Sequence, residues 1–372
     1  MPDSTPAVAP RVRAIQFPNW RSRLFLKGMF ERQYNVPENP PWLLEQVLCA
    51  WERWAMRIDL SRLTVDRPIF ILGLPRTGST MLQDLCCAHP DIGYITNTMN
   101  QFPRCFCAAE TWRRRLGLNA RGERYIGDSV EVSAETPSEG LMFFGRWFGW
   151  DPHNLRYTPR DPMAFTSAEI DAIHQTIRKI LWCFGPGPRR FFNKNPALIP
   201  DVNILGRLFP DARFVHLVRD PRPCANSLLK LYWADRRQLE FIRSRRRHGV
   251  YDDQPFIPYP RVPHLQEYID EFGPDSLETT AHVWREAMEV IEAARPQLPH
   301  FCEVRFEDIL ARPEAEMQKL FEFCDLPQPR SDNAVYWERF GKIGATRHQN
   351  QYAGFERVEK ICREQMERLG YT

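Results

Sequence analysis

The chain predicts an α/β fold: a parallel β-sheet flanked by helices on both faces. Three observations predict it. An apolar strand at residues 69–73 runs into a turn bracketed by Gly73 and Gly78, and a helix opens at once. Strands and helices alternate between residues 190 and 236 at a spacing that implies right-handed crossovers. A further strand and helix follow at 300–306 and 313–323.

In chain order, residues 1–19 read as a disordered tail, rich in proline and alanine up to Arg13. Helices are predicted at 20–32 and 42–58, the second with Leu44, Leu48, Trp51 and Ala55 at helical spacing. The strand at 69–73 leads to a helix at 78–88, ended by His89-Pro90-Asp91, where proline disfavours helical geometry in its predecessor. Residues 91–187 read as an irregular insertion with one helix near 167–184. Its aromatics, Phe143, Phe144, Trp147, Phe148 and Trp150, suit the wall of an acceptor pocket, and ordinary core packing accounts for any one of them. Strand 190–193, helix 199–208, strand 213–218 and a helix from 221 to about 236 restore the α/β pattern. Residues 244–264 combine the basic run Arg245-Arg246-Arg247-His248 with prolines and read as a solvated loop. Helix 276–294, strand 300–306, helix 313–323 and helix 354–369 complete one expected domain over 20–372, without internal repeats.

The bulk properties narrow the function. Fifty basic and 47 acidic side chains leave a net charge of +3, so no nucleic-acid partner is indicated, and a small anion fits better. The ten cysteines include no Cys-x-x-Cys pair and read as reduced, mostly buried thiols. With neither an apolar signal core at the start nor an apolar run of about 18 residues, the expectation is a cytoplasmic protein without a membrane span. Oligomeric state is not legible.

Chemistry collects after three strands, because ligands of open parallel sheets sit beyond the carboxyl ends. The first turn, Gly73 to Thr80, has nearly the Walker A spacing, with Ser79 where that loop needs lysine and the cation moved inside as Arg76. Its glycines let backbone wrap an oxyanion, the following helix N-terminus points N–H groups at it, and Thr77, Ser79 and Thr80 add hydroxyls. The second strand delivers Asn193-Lys194-Asn195-Pro196. The third delivers Arg219, with Ser227 about two turns into the next helix. Two phosphate sites on one sheet edge suit a nucleotide phosphorylated at two places.

These residues resemble the PAPS-dependent sulfotransferases, whose donor is 3′-phosphoadenosine 5′-phosphosulfate. Pro75-Arg76-Thr77-Gly78-Ser79-Thr80 is similar to that family's 5′-phosphosulfate loop, and Arg219 with Ser227 to its 3′-phosphate pair. Asn193-Lys194-Asn195-Pro196 is similar to the catalytic-lysine segment of tyrosylprotein sulfotransferases, and Arg305-Phe306-Glu307-Asp308 to a late strand and helix of many members. The resemblance runs from about Pro68 onward. It implies sulfuryl transfer to a hydroxyl or amine of a small-molecule, lipid or carbohydrate acceptor, with Arg76 and Lys194 meeting the developing charge and no metal required. Arg347, before the last helix, is the candidate for a loop over the 3′-phosphate.

The general base is less legible. Where many relatives carry a glutamate, this chain has Ile95-Thr96-Asn97-Thr98. Of the acids between Glu131 and Glu139, Glu139 is the first choice and Glu135 the second, and both also fit surface or capping roles. His89, His153 and His216 are weaker choices. Two rivals stand beside this reading: a P-loop nucleotide kinase or NTPase, with Asp220 as its metal-binding acid, and a noncatalytic nucleotide-binding protein that has lost its base.

Overall fold

The computed structural model describes residues 15–30, 40–124, 126, 130–151, 154–185, 187, 189–245, 257–344 and 352–371. The tail up to residue 14, His153, residues 246–256 of the basic loop and Arg347 lie outside the described residues.

The described strands are β1 (Ile69–Leu72), β2 (Ile92–Tyr94), β3 (Arg121–Glu123), β4 (Glu131–Ser133), β5 (Arg190–Lys194), β6 (Arg213–Val218) and β7 (Phe301–Arg305). Five of them form one parallel sheet in the order β2-β5-β1-β6-β7. The first sheet strand in the chain is therefore central. Its register sets Ile71 opposite Lys194 of β5 and Val215 of β6, so the segments after β1, β5 and β6 leave the sheet at one edge. That is the switch point at which open α/β sheets bind ligands.

Contacts group the chain into two compact units, each discontinuous in sequence. One comprises residues 1–55, 96–136 and 233–254; the other comprises 56–95, 137–232 and 255–372. The expected insertion at 91–187 is thus divided between units, and it is more regular than its sequence suggests. It carries helices Asn97–Gln101, Phe106–Arg115 and Leu141–Phe148 and the β3–β4 hairpin besides helix Ser167–Trp182. Most of these elements are too short to show a periodicity, and capping defines them instead: Thr96 accepts from the Met99 amide, and Gly140, at φ 76°, starts Leu141–Phe148.

In the second unit both faces of the sheet are buried. Ile69, Ile71, Val215 and Leu217 pack with Leu82 and Leu85 of helix Ser79–Cys87 and with Leu320 and Phe321 of helix Pro313–Phe323. On the other face Phe70 stacks on Phe214 at 5.8 Å and meets Phe209 at 5.2 Å. Strands buried on both faces read as continuous apolar runs, which is why β1 and β6 were visible in sequence. The expected helix at 199–208 divides into a 3₁₀ turn, Pro196–Asp201, and the helix Val202–Leu208, because Pro200 lacks an amide for an α-helical bond. Helices Leu265–Phe272, Phe306–Ala311 and Ala334–Phe340 were not anticipated. Nor is the described end of the 244–264 segment a solvated loop. Residue 245 still belongs to helix Pro221–Arg245, while Ile257, Tyr259 and Val262 are buried. Burial pushes the Arg261 guanidinium down to about 10, and the carbonyls of Asn154 and Ile257 accept from it.

In the first unit, helices Trp20–Phe30 and Trp42–Trp54 pack on Asn97–Gln101 and Phe106–Arg115 through Phe25 with Phe102 and Trp51 with Trp112. The Glu52 carboxylate accepts from the Ala108 amide at 3.0 Å. All ten cysteines are free, and burial raises the pKa of Cys86 and Cys87, among others.

Candidate functional site

The turn after β1 is shaped by backbone requirements. A Cβ on Gly73 would lie 2.6 Å from the Leu217 carbonyl oxygen of β6, so only glycine lets the chain leave the sheet there. Arg76 adopts φ 72°, a left-handed conformation disfavoured for a side chain of its size, and Gly78 follows at φ 90° as the N-cap of helix Ser79–Cys87. The buried Thr77 hydroxyl donates to the Leu74 carbonyl at 2.8 Å, closing the turn on itself. Thr77 therefore acts within the loop as well as being a candidate ligand. Ser79 is buried in the first helical turn, and Thr80 is half-buried beside it.

Two long-range contacts hold Arg76 in its strained conformation. Its Nε donates to Ser227 Oγ at 2.9 Å, and its carbonyl accepts from Arg219 Nη1 at 2.8 Å. The three residues assigned to two phosphate motifs thus form one continuous unit. The Arg219 guanidinium carbon lies 4.6 Å from the centre of the Phe306 ring, and that ring covers Gly78 so closely that a Cβ there would fall 2.2 Å away. Trp284 Nε1 donates to the Arg219 carbonyl at 3.1 Å. Asp220 does not pair with Arg219. Its carboxylate is taken by Arg222 at 2.7 Å.

At the end of β5, Lys194 is buried and its Nζ donates to Glu139 Oε1 at 2.5 Å. The Glu139 backbone is fixed as well, since its carbonyl accepts from Asn193 Nδ2 at 3.1 Å and the next residue, Gly140, is held at φ 76° against Ile95. Two more polar atoms are buried here: Asn193 Oδ1 and Asn195 Nδ2 have no hydrogen-bond partner among the described residues. Such atoms are costly unless a ligand or solvent meets them.

Glu135 stands in a different setting, in the first unit. It is exposed and pairs with Arg113 at 3.4 Å, while Arg113 is gripped by Glu110 at 2.7 Å. Where relatives were expected to place a glutamate, Thr96 caps a helix and Asn97 donates to the Ser133 carbonyl at 2.9 Å. His89 has the helix-end role that its sequence suggested, with Nε2 2.9 Å from the Pro327 carbonyl oxygen. His216 is buried within β6, where burial lowers its pKa although Glu303 is 3.4 Å away.

Sequence reasoning missed two residues. Phe306, in the Arg305–Asp308 segment, ties Gly78 to Arg219. Lys230, one turn beyond Ser227, carries an ammonium whose pKa burial and the Arg76 guanidinium lower, and its Nζ lies 4.7 Å from the Tyr352 ring centre. The i, i+3 spacing from Ser227 was the available signal.

Gathered cations, a helix N-terminus and a left-handed loop at a parallel-sheet switch point define an oxyanion-handling α/β enzyme. Residues 68–253 and 261–330 match the sulfotransferase family, and the chain belongs to that family. Among its relatives, omega-hydroxy-beta-dihydromenaquinone-9 sulfotransferase Stf3 of Mycobacterium bovis is 23% identical over 291 residues, 73% of this chain and 68% of that one. Protein-tyrosine sulfotransferase 1 of Danio rerio is 22% identical over 286 residues, 75% of this chain and 59% of that one. The crystal structure of sulfotransferase STF9 from Mycobacterium avium shares the fold, with a TM-score of 0.50 at 17% identity over 83% of this chain and 78% of that one.

Proposed function

We propose that this sulfotransferase uses 3′-phosphoadenosine 5′-phosphosulfate as donor and delivers the sulfuryl group to an acceptor hydroxyl by in-line displacement. The observation that carries the reading is the Lys194–Glu139 pair, 2.5 Å apart at the sheet edge from which the Arg76 loop also leaves. The donor supplies an activated sulfuryl group and, in its 3′-phosphate, a second anionic handle.

The residues fit such a molecule. The loop from Arg76 to Thr80 and the helix N-terminus behind it suit the phosphosulfate, while Arg219 and Ser227 suit the 3′-phosphate. The unpartnered Asn193 Oδ1 and Asn195 Nδ2 offer further polar contacts. Arg76 and Lys194 oppose negative charge developing on the leaving oxygens, and preorganised cations in a buried setting do this without reorganising. Glu139 takes the acceptor proton. Its ion pair with Lys194 orients the carboxylate and keeps the base and the cation of the reaction within one hydrogen bond. Arg347 over the 3′-phosphate remains part of the proposal.

The acceptor is a hydroxyl on a small molecule, a lipid or a carbohydrate. The names of the two relatives support a hydroxyl over an amine, one specifying an omega-hydroxy dihydromenaquinone and the other protein tyrosine. Calorimetry with PAP, PAPS and ATP, with and without Mg²⁺, tests the donor. Metal-independent binding of PAP and PAPS, weakened by Arg219→Ala, is expected; binding of ATP alone, and only with Mg²⁺, would overturn the reading. Loss of turnover in Glu139→Gln with PAP affinity retained is the expected mark of the base, and full turnover in that variant would return the role to another carboxylate.

A further inference from the structure

We infer that the outer faces of helices Trp20–Phe30 and Trp42–Trp54 dock the chain on the surface of an anionic lipid bilayer. Both helices belong to the same unit and bury only one side. In Trp20–Phe30, Ser22, Phe25 and Leu26 are buried, while Trp20 is 70% exposed and Leu24 61%. In Trp42–Trp54 only Leu48 is buried. Trp42 is 69% exposed, and Leu43, Val47 and Trp54, at i, i+4 and i+11, line an outward stripe that ends with Trp54 at 78%. Isolated exposed apolar side chains need no explanation, but several along the outer faces of two helices of one unit mark an interaction surface.

The charges on these faces choose the occupant. Arg21 lies over the Trp20 ring at 5.6 Å and Arg53 over the Trp54 ring at 4.9 Å, so two of the exposed indoles carry a guanidinium on their face. The acids of this region turn inward: Glu45 is 13% exposed and pairs with Arg104, and Glu52 caps the Ala108 amide. Among the described residues of the two helices, every exposed side chain is apolar or an arginine. Indole and aliphatic groups flanked by arginine match the headgroup boundary of a bilayer, where tryptophan concentrates and anionic lipids attract cations. A second copy of the chain would bring arginine against arginine, which disfavours self-pairing.

Sedimentation of the full chain with vesicles of equal parts phosphatidylcholine and phosphatidylglycerol, and with vesicles of phosphatidylcholine alone, tests the inference. The chain is expected to pellet with the anionic vesicles and much less with the neutral ones. Leu43→Ser combined with Trp54→Ser should lower the partition coefficient by about tenfold or more, as removal of buried apolar groups predicts. Arg21→Gln and Arg53→Gln, at exposed positions where folding is not at stake, should each lower it about fivefold. Val335→Ser, an exposed apolar position in the other unit, should leave it unchanged. Circular dichroism and urea denaturation serve as folding controls. Failure to bind anionic vesicles overturns the inference, as does binding that none of the helix variants weakens. It is equally overturned if ultracentrifugation finds a dimer that Leu43→Ser with Trp54→Ser converts to monomer while vesicles are ignored, since a second copy would then own the face. None of these readouts depends on the donor assignment.

Discussion

Arg76 Nε donates to Ser227 Oγ at 2.9 Å, joining residues 151 positions apart and making two anion motifs one structure. Because Arg219 also donates to the Arg76 carbonyl, the loop conformation and the second motif depend on each other. Ser227→Ala should therefore weaken PAP by more than one lost ligand contact. A hydrogen bond to a charged group contributes about 1.5–3 kcal/mol, so the dissociation constant measured by calorimetry should rise roughly tenfold to a hundredfold for Arg219→Ala, with Ser227→Ala in the lower half of that range. Unchanged affinity in both variants would separate this edge from the donor.

Glu139→Gln and Lys194→Ala are expected to act on turnover. Removing a group that moves a proton or meets transition-state charge lowers kcat by about 100- to 10,000-fold. Rapid-quench measurement of the transfer step should show that loss in both variants. Glu135→Gln, whose native partner is Arg113, should lose far less.

Gly78→Ala is predicted to destabilise the second unit. The new methyl would lie 2.2 Å from the Phe306 ring in a residue at φ 90°, and overpacking plus the left-handed conformation costs about 2–4 kcal/mol. Urea denaturation of Gly78→Ala, Phe306→Leu and the double variant forms a cycle. A double variant more stable than the sum of the single losses is the expected sign of direct contact, and strict additivity would contradict it.

Lys230 offers a protonation readout. Its ammonium pKa is lowered by burial and by Arg76, and a bound phosphate reverses the second influence. PAP binding above neutral pH should then take up protons, seen as a dependence of the calorimetric enthalpy on buffer ionisation. Lys230→Gln should reduce that uptake and weaken PAP.

Two histidines give stability opposite pH slopes. His264 hydrogen-bonds Glu286 at 2.6 Å, which raises its pKa; Glu267 raises it further, while Arg285 opposes. The stabilisation by charged His264 is fully present below its unfolded pKa of about 6.5 and is lost as pH rises through the higher folded value. His216 is pushed the other way by burial, so protonating it destabilises the fold as pH falls below about 6.5. Thermal melts should show His264→Gln losing stability relative to the parent in mildly acidic buffer and little at alkaline pH. An equal loss at both ends would remove the titration from the account.

The long apolar strands were legible because each is buried on both faces, and β6 was read at its full length of residues 213–218. Helix Pro221–Arg245 was cut short at about Arg236, although Leu239 and Ile242 beyond it keep helical spacing among the arginines. The short helices of 97–115 and 141–148 were hidden for a different reason. Their boundaries come from Thr96 and Gly140, whose capping roles depend on neighbours far along the chain, such as the Ala134 and Thr136 carbonyls that accept from Thr98 and Asn97.

By itself the sequence determined the motifs: a loop with serine in place of the Walker lysine, an arginine inside it, a lysine at the end of one strand and a second arginine just after another. These are local properties, set by residue identity and by backbone preferences over a few positions. The tertiary structure alone decided the partnerships. Strand order β2-β5-β1-β6-β7 puts the β1 loop between the ends of β5 and β6, and only then does Arg76 meet Ser227. Likewise Glu139 pairs with Lys194, 55 residues on, while Glu135, four residues earlier, pairs with Arg113. Which of two neighbouring carboxylates reaches Lys194 depends on where the chain is carried between them, and no local preference encodes that path.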